Sequence, residues 1–120
     1  MRIATTVCVL ALGSLAFAAA GGARTETVQL TGTVGPGFTI TLKNRAKTVK
    51  FLAPTKYTFV INDRSSIHNF HLTGPGLNKK TSVGATGTTR WTITLRKGTY
   101  RFVCDPHASI MKGSFVVRAP

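Results

Sequence analysis

After residue 25 apolar and polar side chains alternate with a period of two, the signature of strands buried on one face. Val28, Leu30 and Val34 alternate with Thr27, Gln29, Thr31 and Thr33, and Phe38, Ile40 and Leu42 with Thr39, Thr41 and Lys43. Tyr57, Phe59 and Ile61 oppose Lys56, Thr58 and Asn62, which leaves Val60 as the one apolar residue on that outer face. Trp91, Ile93 and Leu95 alternate with Arg90, Thr92, Thr94 and Arg96, while Tyr100, Phe102 and Cys104 share one side with Arg101 on the other. A last strand near Ser114 to Arg118 turns Phe115 and Val117 inward. No segment of this region has a helical period. Gly35-Pro36-Gly37, Ala53-Pro54, Gly74-Pro75-Gly76 and Lys97-Gly98 punctuate the runs as turns. Short strands so punctuated predict an all-β fold, a sandwich of two sheets. Residues 79–88, rich in Thr, Gly and Ser, read as a surface connection. "KYTFVIND" at 56–63 echoes "TYRFVCDP" at 99–106, as two equivalent strands of a sandwich would.

The N-terminus follows a different rule. Met1-Arg2 gives a positive start, residues 3–20 are almost wholly apolar, and small residues occupy 18–23. This predicts a signal peptide over residues 1–23, cleaved near Gly21 or Arg24, and one domain over residues 24–120. An uncleaved anchor is the alternative, at the short limit of the ~17–25 apolar residues a span requires. Cys8 sits inside the apolar run rather than at its end, which argues against lipid attachment there. The exported chain then keeps only Cys104 and has no internal disulfide, although its periplasmic or other extracytoplasmic compartment is oxidising. A bound metal would protect such a thiol.

Formal net charge is +13, hence +12 without Arg2, and the acids are Glu26, Asp63 and Asp105 alone. The basic residues are scattered, with no block longer than a pair, and export argues further against nucleic acid. The expected partners are a protein acidic at its docking surface and an anionic envelope surface, with the chain itself a monomer.

Candidate chemistry is concentrated in "CDPHASIMKG", residues 104–113. Alternation points the Cys104 sulfur into the sandwich at a strand end. Pro106, having no N–H for a ladder, stops that strand. The turn then carries His107 and Met111 back over the strand end, and Gly113 permits re-entry into the last strand. A fourth ligand must be His68 or His71, in "SSIHNFHLTGPG". Read as a strand, this segment puts His68 on the apolar face with Phe70 and Leu72, and His71 outward toward solvent or a polar neighbour. Two imidazoles, a thiolate and a thioether form a copper-selecting set. Zinc favours more thiolates or a carboxylate over a thioether, and calcium and magnesium need oxygen ligands that three acids cannot supply.

"GTYRFVCDPHASIMKGSFVV", with the upstream His68-Asn69 pair, resembles the copper loop of the plastocyanin, pseudoazurin and amicyanin group of cupredoxins. The resemblance implies an eight-stranded Greek-key sandwich, one type 1 copper ion cycling between Cu(I) and Cu(II), and electron transfer without catalysis. It implies that Cys104 and His68 are ligands, His107 the solvent-side ligand and Met111 the axial one. Asn69, Asp105 and Pro106 are expected to support the ligands from outside; in the family the Asn ties the ligand strand to the cysteine loop. Two features depart from the family pattern. Three residues separate His107 from Met111, between the shorter and longer family loops, and Asp105 replaces the usual small hydroxyl residue. The solvent edge of His107 is expected to be framed by Pro106, Ala108 and the Gly74–Leu77 turn.

Two other functions use the same residues. A Cys-His nucleophile would need an accessible electropositive cleft and an oxyanion site, and no motif supplies them. An envelope copper carrier or buffer could use the same ligands without redox cycling.

Overall fold

The computed structural model describes residues 26–120. The signal peptide, its cleavage site and Cys8 lie outside the described residues. Ten strands form two five-stranded sheets. The first sheet contains β1 (Val28–Val34), β2 (Ile40–Asn44), β3 (Lys47–Thr48), β5 (Lys56–Asp63) and β8 (Gly87–Thr94), in the order β3-β2-β1-β5-β8. The second contains β4 (Phe51–Leu52), β6 (His71–Gly74), β7 (Leu77–Lys80), β9 (Gly98–Val103) and β10 (Lys112–Val117), in the order β4-β10-β9-β6-β7. The only helical element among the described residues is a 3₁₀ turn at Asp105–His107. The strand count exceeds the expected eight because β3 and β4 are two-residue edge pairings, too short for any alternation to register.

The inward sets close the core. Leu30, Val34, Leu42, Phe59 and Ile61 of one sheet and Leu72, Tyr100, Phe102, Phe115 and Val117 of the other are all buried. Phe70 stacks on Phe102 at 5.4 Å and Tyr100 on Phe115 at 5.2 Å. Burying each such ring stabilises the fold by about 1.5–3 kcal/mol. The Tyr100 hydroxyl donates to the Arg96 carbonyl at 2.9 Å and accepts the Arg96 N–H at 2.9 Å, so its polar end is satisfied. Val60, assigned to the outer face, is nevertheless buried. It lies on β5, an interior strand, directly opposite Thr31 on one neighbouring strand and Arg90 on the other, positions from which long side chains can cover it.

Three differences from the sequence reading bear on the site. Phe38 is not an inward strand residue: β2 begins at Ile40, and the Phe38 ring is 57 % exposed. Residues 68–70 precede β6, so Asn69 escapes strict alternation and is buried beside His68 and Phe70. Strands β7 and β8 enter the 79–88 segment from both sides and leave only residues 81–86 as the connection.

Candidate metal centre

Three connections meet at one end of the sandwich. β1 and β5 are parallel and finish together at Val34 and Asp63. β9 finishes at Val103, opposite His71 and Lys112. The segments that follow these strand ends, 35–39, 64–70 and 104–111, therefore share a pole. Gly35 occupies the left-handed region at φ 68°, and a Cβ there would lie 3.0 Å from Ser65 Cβ and 3.3 Å from His68 Cδ2. Glycine lets this loop close against the His68 ring.

The cysteine loop is tied to itself. The Met111 carbonyl accepts the Cys104 N–H at 3.0 Å, and the Cys104 carbonyl accepts the His107 N–H at 3.0 Å. The His107 carbonyl in turn accepts the N–H groups of Ile110, at 3.0 Å, and Met111, at 2.8 Å. Pro106 sits in the first turn of the 3₁₀ segment, where its fixed φ suits the bend and no N–H is required. Re-entry at Gly113 requires a missing side chain, since a Cβ there would lie 2.2 Å from Phe102 Cζ.

This folding brings three donors to a point. His68 Nδ1 and His107 Nδ1 are 3.1 Å apart, and each is 3.6 Å from Cys104 Sγ. A triangle with sides of 3.1, 3.6 and 3.6 Å has its centre about 2.0 Å from each corner. That matches the ~2.0–2.1 Å of a metal–imidazole bond and is slightly short for sulfur. His68 and Cys104 are fully buried, whereas the His107 ring is only partly so. Met111, at the far end of the loop, is also fully buried. Among the described residues, His68 Nε2 and Asp63 Oδ2 are buried without a hydrogen-bond partner. Burial raises the Asp63 pKa, against the opposing pull of the Ser65 N–H and the His68 charge.

A polar lock surrounds the triangle. Asn69 Oδ1 accepts the Asp105 N–H at 2.8 Å, and Asn69 Nδ2 donates to Asp105 Oδ2 at 2.7 Å and to the Thr81 carbonyl at 3.1 Å. The segment carrying His68 is thus bonded on both sides of one amide to the segment carrying Cys104. His71 points away from the donors, its Nδ1 2.7 Å from Asp105 Oδ1 and its Nε2 2.6 Å from Asn78 Oδ1. Partial burial opposes the imidazolium, but the bonds to Asp105 and Asn78 and the Asp105 charge prevail, and the His71 pKa is raised. For Asp105, desolvation raises the pKa, but bonds from His71 and Asn69 and the charges of His71 and Lys80 outweigh it, leaving the carboxyl below its ordinary value.

Phe38, Thr81 and Asn78 are site residues that sequence reasoning missed. The Phe38 ring meets His68 and His107 edge-on, with centroids 5.4 and 5.0 Å away. Its position directly after the Gly35-Pro36-Gly37 turn was the available signal. The Gly74–Leu77 turn does not frame His107. It packs at the other pole, where a Cβ on Gly98 would meet Pro75 and one on Gly76 would meet Arg96.

The family model for the cupredoxin-like domain matches residues 6–117. The chain belongs to the cupredoxin-like family. Solved structures agree on the fold. Reduced rusticyanin superposes with a TM-score of 0.56 at 23 % identity, over 77 % of this chain and 79 % of that one. Auracyanin A, a "blue" copper protein from the green thermophilic photosynthetic bacterium Chloroflexus aurantiacus, superposes with a TM-score of 0.54 at 20 % identity. The match covers 78 % of this chain and all of auracyanin A. No curated protein sequence matches the chain. The donor set of this cupredoxin, two imidazole nitrogens and a thiol converging in a mostly buried pocket, suits a copper ion in both size and softness.

Proposed function

We propose that this cupredoxin is an exported one-electron carrier that holds a single type 1 copper ion through His68, Cys104 and His107, with Met111 as the axial ligand. The observation that carries the reading is the buried triangle of His68 Nδ1, His107 Nδ1 and Cys104 Sγ. When bound, copper supplies the Cu(I)/Cu(II) couple. The protein's part is to hold the donors still and keep water out. His68, Cys104 and Met111 are wholly buried. The backbone bonds within residues 104–111 and the Asn69–Asp105 pair resist displacement of the donors during the redox change.

His107 is the one nitrogen donor with access to the surface, and so it is the electron port. Phe38 at 57 % exposure touches its ring, and Ile110 at 64 % lies three residues along the same loop. An apolar rim allows a partner close approach without strong, slowly released contacts. Donors that converge on one ion, with a single imidazole reaching the surface, support a carrier over an enzyme. The N-terminal residues 1–23 act as the export signal and residues 24–120 as the working domain. Mass spectrometry of the exported protein is expected to find a start near Gly21 or Arg24; retention of residues 1–20 would instead establish an anchored chain.

The redox partner is acidic at its docking surface, steered by a net charge of +12 that salt screens. Stopped-flow oxidation and reduction should be faster with anionic than with cationic small redox reagents, the gap narrowing as ionic strength rises. Equal rates at low salt would show that the basic charge does not act at the port.

A further inference from the structure

The basic residues are unevenly divided between the two poles. At the pole opposite the donors, the β2–β3 turn presents Arg45 and Lys47, and Lys50 leads into β4. Lys56 opens β5 at the same end, where Val28 pairs with Tyr57 and Lys56 with Thr94. Arg96 and Lys97 lie in the β8–β9 connection, and Arg118 follows Val117, which pairs with both Gly98 and Leu52. All seven are exposed, and Glu26 is the acid on their side. The metal pole carries Arg64, Lys79, Lys80 and Lys112 against Asp63 and Asp105. A groove of about 1050 Å³, open to solvent, is also at the far pole, its lining including Arg45, Lys47, Lys50 and Phe51.

We infer that this basic pole docks on an anionic lipid bilayer, its lysine and arginine side chains on the phosphate headgroups, so that the metal pole faces away from the membrane. Charge complementarity is the first support: each basic side chain within a Debye length of an anionic leaflet adds to the attraction. A further feature favours a membrane over a soluble polyanion. Phe51 is 55 % exposed, with the Arg118 guanidinium 3.8 Å from its ring centroid. An aromatic ring among long cationic side chains suits the boundary between headgroups and acyl chains. The orientation follows from the strands: a molecule seated by Lys47, Lys50 and Lys97 has His107 at the opposite strand ends, open to a soluble partner. The inference rests on the exported location and not on copper.

The test is vesicle co-sedimentation of the exported protein, comparing phosphatidylcholine vesicles with vesicles containing phosphatidylglycerol. Neutral vesicles report any contribution that does not depend on charge, so the ratio of the two affinities is the quantity read. The expected result is at least tenfold tighter binding to the anionic vesicles at low salt, a preference that fades at high salt. The triple variant Lys47→Glu/Lys50→Glu/Lys97→Glu should lose that preference. Arg64→Glu/Lys80→Glu/Lys112→Glu, with the same change in net charge, should keep most of it. Lys→Gln versions of the first set, with unchanged circular dichroism, guard against a folding defect and should lose the preference in part. Equal binding to both vesicle types would overturn the inference, as would equal loss from the two triple variants. A clear preference for double-stranded DNA over anionic vesicles at the same salt would overturn it too. Loss of copper binding leaves all these readouts intact.

Discussion

Replacing His68 by alanine is expected to abolish the intense thiolate-to-copper band, while His71→Ala leaves the band in place. The two residues stand three apart and carry the same side chain, but their surroundings differ. His68 is fully buried with Nδ1 3.6 Å from Cys104 Sγ, and its removal opens a corner of the triangle. Two remaining donors and a thioether cannot hold a trigonal site against water. His71 spends both ring nitrogens on Asp105 and Asn78, so its loss reaches the donors only through the Asn69–Asp105 pair. Titration of each variant with Cu(II), followed by absorption, decides the matter. Colour that survives in His68→Ala and vanishes in His71→Ala would reverse the assignment.

The second large effect is on the reduction potential. Met111→Gln should retain copper and some of its colour but lower the potential, because a thioether favours Cu(I) and an amide oxygen is harder and favours Cu(II). Met111 is buried, and its backbone is bonded to both Cys104 and His107, so the new side chain starts from a fixed anchor beside the donors. Voltammetry showing an unchanged potential would remove Met111 from the axial position.

The sequence was most informative where one face of a strand is buried and least informative where tertiary pairing decides. Leu30, Val34, Phe59, Ile61, Tyr100, Phe102, Phe115 and Val117 were legible because each belongs to a long run with a two-residue period. The same logic separated His68 from His71, although His68 lies just before the strand, because burial of 68, 70 and 72 persists across the strand start. Phe38 was misread because the turn before it extends further than the alternation suggested, and its exposed ring covers the two imidazoles instead of the core. The partnership of His71 with Asp105 spans 34 residues and depends on the pairing of β6 with β9, which sets His71 opposite Val103. No local pattern encodes that register. Placing the Gly74–Leu77 turn near His107 failed for the same reason: strand direction, unknown from sequence, sends it to the other end.

The central claim is that His68, Cys104 and His107 hold a copper ion that cycles by one electron. Voltammetry of the Cu(II)-loaded protein, monitored at the blue band, tests it most directly. The account predicts one copper per chain and a reversible one-electron wave, with colour that bleaches on reduction and returns on reoxidation. Copper that binds without the thiolate band, or leaves the protein on reduction, would contradict it.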